Sequence, residues 1–356
     1  MSMDAPRAIM EVAGVNVRWN DLLDIQVDNT LYLAADSFEA TFRNDLLLSD
    51  WFRKNQEVRI YMGYVGNPQA WTKEELTHIF TGRIDGIKPD FSSSMTVRLL
   101  GRDYSAPMID TEYSVAYQER TSSQVAQHLA SKYGLTPRIT ATTAMVDREL
   151  FANKKEWEVL QALADLEGFV CYVNKNKELY FGPRQDIDEQ VITKLYYRLD
   201  GYSNCRITFD DSAVGVVNKV TVRHWTGKNK RLIEASAVNE SLLAAMGGQV
   251  KERIVYVAKA TTVALAQSYA EKKLQEWSRQ VVTGEGLSAL NLMLEAERKT
   301  LCQGYGRFSG EYYVEQARQI LSKQEGARTE FTITNIRPDT AEQYRQDLYD
   351  QNEKRM

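Results

Sequence analysis

Between residues 10 and 105 apolar side chains recur at every second position. Leu23, Ile25 and Val27, then Phe38, Ala40 and Phe42, then Val58, Ile60 and Met62 alternate with polar neighbours, the period of antiparallel strands with one buried face. The pattern continues from Ile79 to Ile87 and, beyond a turn marked by Pro89 and Ser92 to Ser94, from Thr96 to Gly101. A first β domain, a barrel or small sandwich, is predicted over 1–105.

From 106 the period changes to that of helices. Thr121 to Gln124 form a capping box ahead of Val125, Ala126, Leu129 and Tyr133, and Gly134 and Pro137 stop the helix. A second helix is predicted with Asn153 as cap, Glu156 at the third position and Glu158 near the positive end of the dipole. Trp157, Leu160, Leu163 and Ala164 form its stripe, and Gly168 stands where a left-handed cap needs glycine. Directly afterwards Phe169 to Val173 and Glu178 to Phe181 read as a hairpin turned by Asn174 to Lys177 and closed by Gly182-Pro183. Residues 106–200 are thus an α+β insertion.

Strands return from 201 to 340. Arg206 to Phe209, Val216 to Trp225 and Ile254 to Val257 are candidates, followed by a long helix from Thr261 to Ser278 with Val263, Ala266, Ala270, Leu274 and Trp277 on one stripe. The glycine pairs Gly284/Gly286 and Gly304/Gly306 lack a phosphate-loop lysine and read as turns. The strands predicted at 301–307, 308–316 and 329–336 echo the layout of 57–102, which suggests a weak internal duplication. A polar tail, 341–356, carries Tyr344, Leu348 and Tyr349 at helical spacing. The fold class is therefore α+β and β-rich, with two β domains joined by small α+β parts.

A length of 356 residues suggests two or three such domains. Positive and negative side chains nearly cancel, leaving a net charge of −4 and a pI near 5.7, which argues against a generally basic, phosphate-binding surface. The first ten residues, with Asp4, Pro6 and Arg7, do not resemble a signal peptide, and no window reaches the ~18 apolar residues of a membrane span. Synthesis in the cytoplasm and reduced, buried thiols at Cys171, Cys205 and Cys302 are expected.

Candidate chemistry is sparse. His78, His128 and His224 are isolated in sequence, so no metal site is expected, and no cofactor motif or nucleophile elbow is present. A peptidoglycan-cleaving enzyme would need two carboxylates about 5–10 Å apart in a cleft. The adjacent pairs are Glu156/Glu158, Asp210/Asp211 and Glu295/Glu297, and the lysines and arginines near each favour solvated surface charge. A carbohydrate- or receptor-binding module would use Trp19, Trp51, Trp71 and Trp225 as its platform. Most of these sit at strand ends or in apolar patterns. Trp71 stands in the polar loop 66–75 and is expected to contact a neighbouring subunit or another protein.

The opening β domain, FTGRIDGIKPDF to TVRLLGRDYS at 80–105, TSSQVAQHLASKYGLTP at 121–137, and EWEVLQALADLEGFVCYVNKNKELYFGP at 156–183 form a combination. Together these four stretches resemble the baseplate hub proteins of contractile-tailed phages, the late control protein D family, and the hub half of type VI secretion spike proteins. Gly101-Arg102-Asp103-Tyr104 matches the family's glycine, charged residue and aromatic at the end of a strand pair. The resemblance covers about 10–340, without a downstream needle domain. It implies two tail-tube-like barrels per subunit and a homotrimeric, pseudo-sixfold collar that joins the tail tube to a separate spike protein. It also implies a structural, non-enzymatic protein of the virion baseplate, in contact with other baseplate proteins, with DNA only as passing cargo and no stable membrane association.

Overall fold

The computed structural model describes residues 5–30, 35–116, 119–143, 150–183, 185, 190–199, 201–211, 216–226, 231–257, 260, 262–278 and 282–335. The chain forms two units, one of Met1–Thr208 with Glu285–Ile333, the other of Phe209–Gly284 with Thr334–Met356.

The first unit opens with β1 (Ala5–Val12), β2 (Val15–Asn16), β3 (Leu22–Asn29), β4 (Ser37–Arg43), β5 (Glu57–Val65), β6 (Thr77–Asp90) and β7 (Thr96–Asp103). They pair antiparallel in the order β3-β4-β7-β6-β5-β1-β2. One face buries Ile25, Val27, Phe38, Ala40, Phe42, Val58, Ile60 and Met62, as the alternation requires. The pattern slips once. Leu22, not Leu23, points into the core, because the β3–β4 ladder shifts register between Leu22 and Asp24.

Next come α1 (Ala106–Asp110), β8 (Glu112–Ala116), α2 (Ser122–Lys132), β9 (Thr136–Ile139), β10 (Leu150–Lys155), α3 (Glu156–Glu167), β11 (Val170–Val173) and β12 (Glu178–Gly182). Thr121 caps α2 reciprocally: its hydroxyl accepts from the Gln124 N–H at 3.3 Å and the Gln124 side chain accepts from the Thr121 N–H at 3.0 Å. The start of α3 differs from expectation. Asn153 lies in β10, and Glu158, not Glu156, reaches back to accept from the Lys155 N–H at 3.0 Å. Gly168 takes the left-handed conformation, φ +68°, that ends the helix. α2, α3 and the β11–β12 hairpin enclose a second core around Leu129, Trp157, Leu160, Leu163, Cys171, Leu179 and Phe181. β9 adds to the hairpin in parallel, and β8 pairs with β10; periodicity had not revealed these short strands.

β13 (Val191–Tyr196) and β14 (Cys205–Asp210) lead out of this unit. The second unit holds β15 (Lys219–Thr226), β16 (Arg231–Val238), α4 (Glu240–Ala245), β17 (Glu252–Tyr256) and α5 (Val263–Trp277). The sheet β16-β15-β17 packs Val220, Val222 and Ala237 against Ala266, Ala270, Leu274 and Trp277 of α5. Val263, expected on that stripe, is 56% exposed in the first turn.

The chain returns through β18 (Thr283–Ala289), β19 (Lys299–Gln303), β20 (Gly310–Ser322) and β21 (Gly326–Thr334). Gly284 and Gly286 lie within β18 rather than in a turn. A Cβ on Gly286 would lie 2.2 Å from the Phe331 ring, so the glycine makes room for an aromatic and does not break the strand. Gly304 and Gly306 are turn residues at φ +83° and +60°. The late strands extend the first sheet, in the order β14-β18-β21-β20-β3, with Ala317–Ser322 paired to Asp24–Asn29, and β19 links β13 to β20. β1 comes near β20, but no ladder joins them, and no closed barrel is found among the described residues. The tail 341–356, with Tyr344, Leu348 and Tyr349, lies outside the described residues. Among the described residues no helix is long and apolar enough to cross a membrane.

Candidate functional site

Four consecutive residues at the end of β7 join the first sheet to the helical part of the same unit. Gly101 pairs with Ile84 on one side and Phe38 on the other. A Cβ there would stand 2.0 Å from the Arg83 carbonyl oxygen and 2.4 Å from the Phe38 ring, so only glycine fits. Arg102 forks between Asp85, at 2.7 Å, and both oxygens of Asp110 in α1, at 2.9 and 2.6 Å. Asp103 accepts from the Ser105 N–H at 2.9 Å and its hydroxyl at 2.5 Å. The Tyr104 hydroxyl donates to Glu57 of β5 at 2.6 Å.

The hairpin tip meets the sheet at the same place. Asn174 folds the turn by accepting from the N–H groups of Asn176 and Glu178 at 2.9 and 3.1 Å. Lys177, at φ +59°, pairs with Glu57 while its ammonium lies 4.9 Å from the Tyr104 ring centre. Lys175 reaches Glu295 at 3.1 Å. Burial alone would raise the Glu57 carboxyl, but the hydrogen bonds from Lys177 and Tyr104 outweigh it and hold the group below the usual carboxylate range.

A cleft of about 420 Å³ lies beside this joint, lined by Asp36, Asp103, Arg138, Tyr172, Lys175, Tyr180, Glu295, Glu297 and Arg298. Asp36 accepts from the Asn29 side chain at 2.8 Å and from the Thr30 N–H at 2.9 Å. Burial, and then the charge of Asp103, push Asp36 well above the ordinary carboxylate range; burial raises Asp103 as well. Two carboxyls of this kind hold a proton near neutrality. Both oxygens of Asp36 are nonetheless taken up by protein donors, which suits a structural joint better than a general acid.

The acidic pairs read as solvated charge divide. Glu158, Asp210 and Asp211 are exposed. Glu156 is 2% exposed, takes Lys132 at 2.6 Å and the Tyr133 hydroxyl, and ties α2 to α3. Glu297 is buried and Glu295 pairs with Lys175, so these two are not free surface charges either. They line the same cleft as Asp36 and Asp103, a grouping that spacing along the chain does not reveal.

Trp71 is half-buried, its ring edge-on to Trp19 at 6.2 Å. Trp51 packs on Phe52 at 5.2 Å, and Trp225 belongs to the second unit. His78 contacts the Phe80 carbonyl and the Thr81 hydroxyl at 3.0 and 2.8 Å, His128 is exposed, and His224 contacts the Val257 carbonyl at 3.1 Å. Among the described residues no group of three or more His, Cys, Asp or Glu side chains is placed to hold a metal ion. The three cysteines are buried and free.

The model of the family described as the Alg8 N-terminal domain matches residues 39–322. The chain belongs to that family. No curated protein matches this family member in sequence. Among solved structures, the 43 kDa tail protein of prophage MuSo2 from Shewanella oneidensis superposes with a TM-score of 0.69 at 14% identity, over 94% of this chain and 99% of that one. The tail protein from Neisseria meningitidis MC58 gives 0.68 at 16%, with the same coverage of each chain. The E. coli c3393 protein, a component of the type VI secretion system, gives 0.53 at 11%, over 91% of this chain and 76% of that one. The family member thus has the β-rich fold of phage tail proteins, in agreement with the resemblance to baseplate hubs and type VI spike-related proteins read from the opening β domain and the stretches at 80–105, 121–137 and 156–183.

Proposed function

We propose that this protein is the structural hub of a contractile tail baseplate. Three copies close a pseudo-sixfold ring that seats a separate spike below, the tail tube above and other baseplate proteins around it, and DNA or other cargo passes through. The observation that carries this reading is the fold match over nearly the whole length of two tail proteins. The strands of 1–105 and of 201–340 supply the two tube-like elements of each subunit, with 106–200 between them. In this reading the protein resides in the virion tail, is made in the host cytoplasm and has no catalytic role, and Trp71 contacts a neighbouring subunit or baseplate protein.

Light scattering on the purified protein tests it. A particle of three times 40.7 kDa with a central hole in negative stain is expected, and a monomer at all concentrations abandons the ring. The acidic cleft gives a second reading, a peptidoglycan-cleaving tail enzyme, because Asp36, Asp103, Glu295 and Glu297 share one opening. Clearing of cell-wall substrate in a zymogram, lost in Asp103→Asn, would favour that enzyme.

A further inference from the structure

Trp19 is the centre of a cationic patch built from four separate segments of the first unit. The Arg7 guanidinium of β1 lies 5.2 Å from its ring centre and the Lys323 ammonium, just beyond β20, lies 4.7 Å away, while Trp71 closes the edge. Lys323 is fixed by donating to the carbonyls of Trp19 and Asn20 at 2.6 and 3.1 Å, and Arg7 by donating to those of Pro6 and Pro68 at 2.9 and 3.1 Å. The Arg7 Nε is buried without a hydrogen-bond partner. Arg43, exposed at the end of β4, is tied to the same corner through its N–H on the Asp21 carbonyl at 2.8 Å. Burial and then Arg43 pull the Lys323 amine below the usual lysine range; Asp21 opposes this and Arg7 adds to it. Cations are thus crowded together in a chain whose net charge is −4.

We propose that this corner docks an acidic segment of a partner polypeptide, carboxylates meeting Arg43 and Lys323 over the Trp19–Trp71 floor. Aromatic rings beside arginine are the composition of protein interface centres. A short acidic segment gains from the patch alone, whereas a long polyanion such as DNA is repelled by the rest of an acidic chain. The site gives chemistry to the Trp71 contact and rests on the reading that this chain assembles with other tail proteins.

The test is calorimetric titration of the full-length protein with octaglutamate at low salt, beside a thymidine oligonucleotide of matched charge. Octaglutamate is expected to bind, and Arg43→Glu, an exposed change, to weaken it about tenfold, as does high salt. Lys323→Met provides a second variant that adds no acid beside Trp19. No binding of octaglutamate, binding by both variants as tight as by the unaltered protein, or tighter binding of the oligonucleotide overturns the proposal. Light scattering on the same sample separates the two readings: a trimer that ignores octaglutamate loses only the docking site, and a monomer that binds it loses only the ring.

Discussion

The joint at Gly101–Tyr104 and the sheet of the second unit are built on opposite terms. At the joint each side chain meets a partner: Arg102 has Asp85 and Asp110, Asp103 has Ser105, and Tyr104 has Glu57. The sheet β16-β15-β17 is covered on one face by α5, while the other exposes Trp225 at 58%, Tyr256 at 71% and Leu232 at 45%. Its charges are neutralised locally, Arg223 by Glu234 at 2.6 Å and Lys219 by Glu252 at 3.1 Å. The contrast teaches where sequence change is costly. A satisfied polar joint is intolerant because removing one member strands the others, whereas an open face loses little that water does not replace.

Substitutions can break that comparison. Gly101→Ala forces a Cβ against the Arg83 backbone oxygen, which cannot move without parting β6 from β7. A loss of about 4 kcal/mol in urea unfolding is expected; a loss near zero would mean that the ladder can shift. Glu156→Gln leaves Lys132 and Tyr133 facing a neutral amide. Lys132 is partly exposed, so water relieves part of the cost, and a loss of about 2 kcal/mol is expected by the same measurement.

The carboxyl pair sharpens the comparison through pH. Asp36 and Asp103 have folded pKa values above their unfolded ones, so they favour the fold while protonated. Their contribution is full below the ordinary carboxylate range and is lost as pH rises toward about 7. Stability of the first unit should therefore fall by about 1–2 kcal/mol between pH 5 and 8, measured by hydrogen exchange in β4 and β7. Asp36→Asn should lower the starting value and flatten the slope; an unchanged slope would place the titration elsewhere. The smallest effect is expected on the open face. Trp225→Ser should change stability by less than about 0.5 kcal/mol while raising solubility, and a large loss would show that the face is covered.

Much of the first unit was legible because its signals are local. The alternation of Phe38, Ala40 and Phe42, the Thr121 capping box and the glycine stop at Gly168 each depend on residues within a turn of one another. The misreadings had remote causes. Leu22 replaced Leu23 because β4 sets the register, and Gly286 sits in a strand because Phe331, far along the chain, lies across it. The cleft was only half visible: Glu295 and Glu297 stood out as neighbours, and Asp103 stood in the 101–104 motif, but nothing around Asp36 marked it.

By itself, then, the sequence determined the period of each strand and helix, the caps, the hairpin turn and the resemblance to tail hubs, because backbone propensity and amphipathic spacing act over a few residues. Only the tertiary structure decided which strands share a sheet, that Asp36 meets Asp103, and that Trp19 stands between Arg7 and Lys323. Those outcomes depend on burial and charge between residues up to 316 positions apart, as Arg7 and Lys323 are, and no local pattern encodes a contact of that range.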